Sequence, residues 1–121
     1  MQTLKNEMLT IQVSEHGAEL QSIRKDDYEY LWQGNPEYWG RRSPVLFPIV
    51  GSVWEKCFRV DGKVYEMGQH GFARDMDFEL TSASETELWY KLESDENTLK
   101  AYPWPFVLEI GYKLAGDSVE V

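Results

Sequence analysis

The stretch CFRVDGKVYE, Cys57 to Glu66, places Asp61-Gly62 between two four-residue runs that mix apolar and polar side chains in alternation. Asp-Gly supplies the two positive φ angles of a primed two-residue turn, whose twist matches that of the paired strands it joins. These ten residues therefore predict an antiparallel hairpin, with Phe58 and Val60 on one arm and Val64 and Tyr65 on the other.

The same period of two continues in both directions. Toward the N-terminus, Leu9, Ile11 and Val13 share a face opposite Thr10 and Gln12. Gly17 then turns the chain into a second strand around Ala18 to Ile23, and Asp26-Asp27 marks the next turn. Tyr28 to Gln33 reads as extended until Gly34-Asn35-Pro36 breaks it. Val45 to Val50 is a buried strand only at an edge or with irregular pairing, because Pro44 and Pro48 lack donors. Toward the C-terminus, Met76 to Thr81, Glu87 to Glu93 and Phe106 to Leu114 alternate, the last with Leu108, Ile110 and Tyr112 on one side. After Ala115-Gly116-Asp117-Ser118 the alternation restarts as Val119-Glu120-Val121. So short a strand has almost no partner, and the expectation is a fold that continues past residue 121. No window carries a sustained helical stripe. Short strands with turns between them and no intervening helices predict an all-β antiparallel sandwich or barrel.

A chain of 121 residues is one domain by length, and 42% apolar with 27% charged residues is the composition of a packed core. Twelve basic and 21 acidic residues leave a formal charge of −9, which repels phosphate backbones and anionic lipid, so neither nucleic acid nor membrane is expected as a partner. Cys57 is the lone cysteine and closes no intrachain disulfide. The first residues, MQTLKNEMLTIQV, lack the pattern of a signal peptide, and the longest apolar stretch, Pro44 to Val50, is too short to span a bilayer. A cytoplasmic protein is expected. Residues 1–60 carry seven basic and eight acidic side chains, net −1, whereas residues 61–121 carry five and thirteen, net −8. The acid between Asp75 and Glu96 reads as the solvated outer face of strands.

Residues suited to chemistry gather between Trp39 and Asp75: Arg41, Arg42, His70 and Arg74, with Gly68 and Gly71 around the histidine. Gly71 removes a side chain where something approaches closely, and Gly68 permits a sharp bend. His70 reads either as a ligand-binding group or as a rim imidazole satisfied by a backbone group. Arg74 has a salt bridge to Asp75 or Asp77 as its simpler role, and Arg41-Arg42 a solvated loop. Trp32, Trp39 and Trp104 lie beside turns, where aromatic faces suit the apolar faces of sugar rings. His16 and His70 are 54 residues apart with no cysteine or second histidine in register, so no zinc signature exists. Hydrolase elbow, phosphate loop and dinucleotide fingerprints are also missing.

Four segments in order, LTIQVSEHGAELQSI, YLWQGNPEYWGRRSPVLFPIVG, QHGFARDMDFEL and YPWPFVLEIGYKL, carry a resemblance that covers nearly the whole chain. With HGFAR roughly 25 residues after R-x-x-P-V-L-F-P, the sequence resembles the aldose 1-epimerase (galactose mutarotase-like) superfamily, in its LacX-like and hexose-6-phosphate-mutarotase-like branch. The resemblance implies that residues 1–121 are the N-terminal part of a single large antiparallel β-sandwich, the supersandwich, with a sugar or sugar phosphate in an open cleft. It implies anomer interconversion by ring opening, with a histidine acid and a glutamate base that both fall beyond residue 121 in the family pattern. His16 does not match that acid, so no catalytic residue is expected within this chain. What carries over is substrate binding: His70 as partner to a sugar hydroxyl or the ring oxygen, Arg74 of the same motif, and an arginine before Pro44, Arg41 by position with Arg42 adjacent. No metal or organic cofactor is implied. The rival expectation is a non-catalytic carbohydrate-binding module, and self-association through an exposed C-terminal edge is the remaining partner expected.

Overall fold

In the computed structural model, which describes residues 1–121, the alternating segments become three antiparallel units. Strands β1 (Gln2–Lys5), β2 (Thr10–Val13), β3 (Leu20–Lys25) and β4 (Tyr28–Glu29) form one meander in that order. Strands β5 (Cys57–Val60) and β6 (Lys63–Glu66) form a separate hairpin. The second four-stranded meander runs β7 (Glu79–Ala83), β8 (Glu87–Glu93), β9 (Val107–Ala115) and β10 (Ser118–Glu120). The hairpin turn is as the sequence predicts: Asp61 and Gly62 have φ of 50° and 78°, and Val60 faces Lys63.

The two meanders enclose one core. Strand β2 turns Ile11 and Val13 inward and β8 turns Leu88, Tyr90 and Leu92 inward, and all five belong to one buried cluster. Burying each such aliphatic side chain contributes about 1.5–3 kcal/mol. The Tyr112 hydroxyl donates to the Ala18 carbonyl at 2.7 Å, which ties β9 to the segment entering β3. Burial pushes that phenol up to about 12, with the nearby Glu19 carboxylate acting in the same direction. The outer face of the second meander carries the acid. Lys91 stands opposite Glu79 on β7 and Glu109 on β9, with its ammonium 3.1 Å from Glu93 and 3.6 Å from Glu79. The Glu93 and then the Glu79 carboxylates hold Lys91 above the usual ammonium range.

Several expectations need correction. A helix does intervene: α1 (Glu96–Ala101) lies between β8 and β9, opened by reciprocal bonds at 2.8 Å between Asp95 and Thr98. Six residues are too few to show a helical stripe, so the cap was its only signal. Val45 to Val50 is not a strand. With no N–H at Pro44 or Pro48, the segment makes a single bridge, Phe47 with Gly71, and its Phe47–Pro48 peptide is cis. Extended pairing at Tyr28 stops at Glu29, and the first of the three C-terminal segments pairs over Glu79–Ala83, later than Met76 to Thr81. Strand β10 does have a partner, since Ser118, Val119 and Glu120 pair with Ala115, Leu114 and Lys113. No helix is long and apolar enough to cross a membrane.

Candidate functional site

The site is built on a turn and a carbonyl. Gly71 N–H closes a turn onto the Gly68 carbonyl at 3.1 Å, with His70 at the third position and φ of 61°. That left-handed conformation is uncommon for a residue with a side chain. Gly71 itself has φ of 72°, and a Cβ there would stand 2.2 Å from the Phe47 carbonyl oxygen. The close approach anticipated at Gly71 is therefore made by backbone. Phe47 oxygen accepts from Phe72 N–H at 2.9 Å and Ala73 N–H at 3.2 Å, and so pins the segment that carries Arg74.

His70 is held from two sides by one residue. Its N–H donates to the Gly51 carbonyl at 2.7 Å, and Gly51 N–H donates to its Nδ1 at 2.8 Å. Because Nδ1 accepts, a neutral ring carries its proton on Nε2 and presents a fixed donor. The satisfied rim imidazole and the ligand-binding group thus prove compatible: one ring nitrogen is spent on backbone, and the other makes no bond within the chain.

His70 and Arg74 line the same open cleft of about 450 Å³, together with Trp39, Ser43, Leu46 and Gln69. Trp39 is half exposed. Arg74 is mostly buried; its Nη2 donates to the Gln69 carbonyl at 2.9 Å, while its Nε is buried with no hydrogen-bond partner. Its ionic neighbour is Asp75 at 3.9 Å, since Asp77 pairs with His16. Arg41 does not line the cleft. Its Nη2 donates to Asp75 Oδ1 at 2.8 Å, which joins it to the edge of the site through that carboxylate. Arg42 is turned away, with Nη1 donating to the Gln21 carbonyl at 2.7 Å and to Gln33 Oε1 at 3.0 Å.

Sequence reasoning missed Glu19. This buried carboxylate accepts from the N–H groups of Arg42 and Ser43 at 2.9 and 2.8 Å, fixing the loop that supplies Ser43 and Arg41. Its only signal was an acid inside an otherwise inward-facing run, Ala18 to Leu20. No sequence pattern marks Gly51 as the partner of His70.

Two other depressions are less suited to chemistry. One of about 560 Å³ at Lys25 to Tyr30 is shallow surface, and one of about 410 Å³ between Leu9, Ile23, Tyr30 and Val119 is a gap between the meanders. Neither gathers a fixed polar donor. No group of three or more His, Cys, Asp or Glu side chains is placed to hold a metal ion.

Comparison with known proteins shows the family of the chain. The profile of the family described as aldose 1-epimerase matches residues 1–121. The chromosomal LacX protein of Lactococcus lactis subsp. lactis is 38% identical over 123 residues, covering 96% of this chain and 41% of its own. The galactose mutarotase related enzyme of Lactobacillus acidophilus superposes with a TM-score of 0.96 at 42% identity, over 98% of this chain and 40% of that one. A galactose mutarotase-like protein from Lactobacillus casei ATCC 334 gives a TM-score of 0.94 at 36% identity, over 98% and 41%. The chain thus spans about two-fifths of the length of the relatives it matches. It belongs to the aldose 1-epimerase family, with that family's galactose mutarotase-like β fold over the matched length.

Proposed function

We propose that residues 1–121 form the sugar-gripping part of an aldose 1-epimerase, in which an aldose or aldose 6-phosphate binds in the cleft of Trp39, His70 and Arg74. The observation that carries this reading is the two-sided hold of Gly51 on His70, which leaves one aimed imidazole donor beside a guanidinium and an exposed indole. His70 Nε2–H donates to a sugar hydroxyl or the ring oxygen, Arg74 adds a second donor, and Trp39 offers an apolar face to the ring. Arg41 acts at one remove, through Asp75.

The chemistry needs more than this grip. A base takes the proton of the anomeric hydroxyl, the electron pair forms the C1 carbonyl, the C1–O5 bond breaks, and an acid protonates O5. Rotation about C1–C2 and re-closure yield the other anomer. The cleft contributes no carboxylate, and on the motif resemblance the family's acid and base fall outside these 121 residues. Proton transfer is therefore assigned elsewhere in the protein. This lining also favours a second reading, a carbohydrate-binding module that holds a sugar without reacting it.

Polarimetry of freshly dissolved α-galactose separates the two. The intact protein should speed the approach to anomeric equilibrium, and residues 1–121 alone should leave it unchanged, since each lost acid or base costs about 10²–10⁴ in rate. Binding without acceleration by the intact protein favours the module, and acceleration by residues 1–121 alone overturns the assignment of proton transfer. His70→Ala should weaken galactose binding by about tenfold, the worth of one hydrogen bond. The same reading places the protein in the cytoplasm, where the lone thiol of Cys57 stays reduced. It also gives the unpaired outer side of β10 to a neighbouring strand, of this protein or a second copy.

A further inference from the structure

Building on the aldose-binding reading above, we propose that Asp75 sets the charge preference of the cleft, fitting it to an uncharged aldose in place of an aldose phosphate. Three arginines lie in or beside the site, yet none offers a free fork. Arg42 is committed to Gln21 and Gln33, and Arg74 commits Nη2 to the Gln69 carbonyl. Arg41 and Arg74 flank Asp75, whose Oδ1 takes Arg41 Nη2 at 2.8 Å while its Oδ2 lies 3.9 Å from Arg74 Nε.

One carboxylate between two guanidinium groups does two things. It cancels one of their two charges, and it takes up one Nη2 N–H of Arg41 and orients that guanidinium toward itself. Arginine recognises phosphate through two parallel N–H bonds from one planar fork, backed by full positive charge. Asp75 removes both conditions and adds a negative charge of its own beside the cleft. A neutral hydroxyl asks for less. It needs a single donor, and Arg74 retains one on Nη1, which makes no bond within the chain, whereas its Nε is buried away from the cleft. Asp75 is half exposed and stands at the end of the 3-10 turn Ala73–Asp75, with its N–H on the Phe72 carbonyl, so its side chain can change without rebuilding the turn.

Calorimetric titration of the intact protein with galactose and with galactose 6-phosphate tests the proposal. Wild type should bind galactose more tightly than its phosphate. Asp75→Asn, nearly the same shape without the charge, should shift the affinity ratio toward the phosphate by about tenfold, the effect of one unit charge at short range near the surface. The double variant Arg41→Gln/Asp75→Asn should give up most of that shift, because the freed fork is Arg41's. The readout is a ratio, so damage to the fold, which weakens both ligands together, does not imitate the result. A ratio unchanged by Asp75→Asn, or a wild type that already prefers the phosphate, overturns the proposal and leaves aldose binding standing. Failure of wild type to bind either sugar overturns both.

Discussion

Glu29 shows how much one side chain can organise. It ends the shortest strand, yet its carboxylate accepts from the Ser22 hydroxyl, from Ile23 N–H at 2.8 Å and from Leu31 N–H at 3.0 Å. Desolvation pushes this carboxyl up, but the three donors together outweigh it and hold the group below its ordinary value. A folded-state pKa below the unfolded one means the stabilisation is fully present above the unfolded value of 4.5 and is lost as pH falls through the folded value. Thermal unfolding followed from pH 6 to pH 3 should therefore show a falling midpoint. In Glu29→Gln the midpoint at pH 6 should already be lower, by about 1 kcal/mol of lost charge-assisted bonding, and the acid slope should flatten. An unaltered slope would show that Glu29 is not the titrating group.

Among the turns, two glycines of nearly equal φ separate two kinds of constraint. Gly62, at 78°, has nothing near the position of a Cβ, whereas Gly71, at 72°, has the Phe47 carbonyl oxygen 2.2 Å away. Gly62→Ala should cost only the left-handed backbone penalty, about 1–2 kcal/mol. Gly71→Ala adds a collision between two backbones and should cost about 3 kcal/mol or more, with loss of the His70 geometry. Urea denaturation of the two variants side by side checks this, and equal costs would refute the account. The pair also marks what was legible in the sequence. The Asp61-Gly62 hairpin is a local event, encoded in two adjacent residues, and so it was readable together with the alternating strands β2, β8 and β9. The Phe47 carbonyl meets Phe72 and Ala73 across some 25 residues of irregular chain, and no local pattern encodes that meeting. His70 and Arg74 were singled out because a family motif carries them. Glu19, Gly51 and the Arg41–Asp75 bridge were not, because each acts through a backbone or ionic partner distant in sequence.

For the molecule as a whole, the formal charge of −9 and its concentration in the second half mean that folding brings carboxylates together. Strands β7, β8 and β9 set Glu79 and Glu109 on either side of Lys91, with Glu93 beside it. Screening should relieve more repulsion than it removes attraction, because the acids outnumber the cations. Raising sodium chloride from about 10 mM to 300 mM should lift the unfolding midpoint by roughly 2 °C, about 0.5 kcal/mol for a domain of this size. A midpoint that falls with salt would mean that attraction dominates the surface. The row around Lys91 has a practical side as well. One ammonium serves several carboxylates there, and mobile sodium must do the rest of the work. For this protein, dialysis into pure water is the harsh treatment, and a concentrated buffer is the mild one.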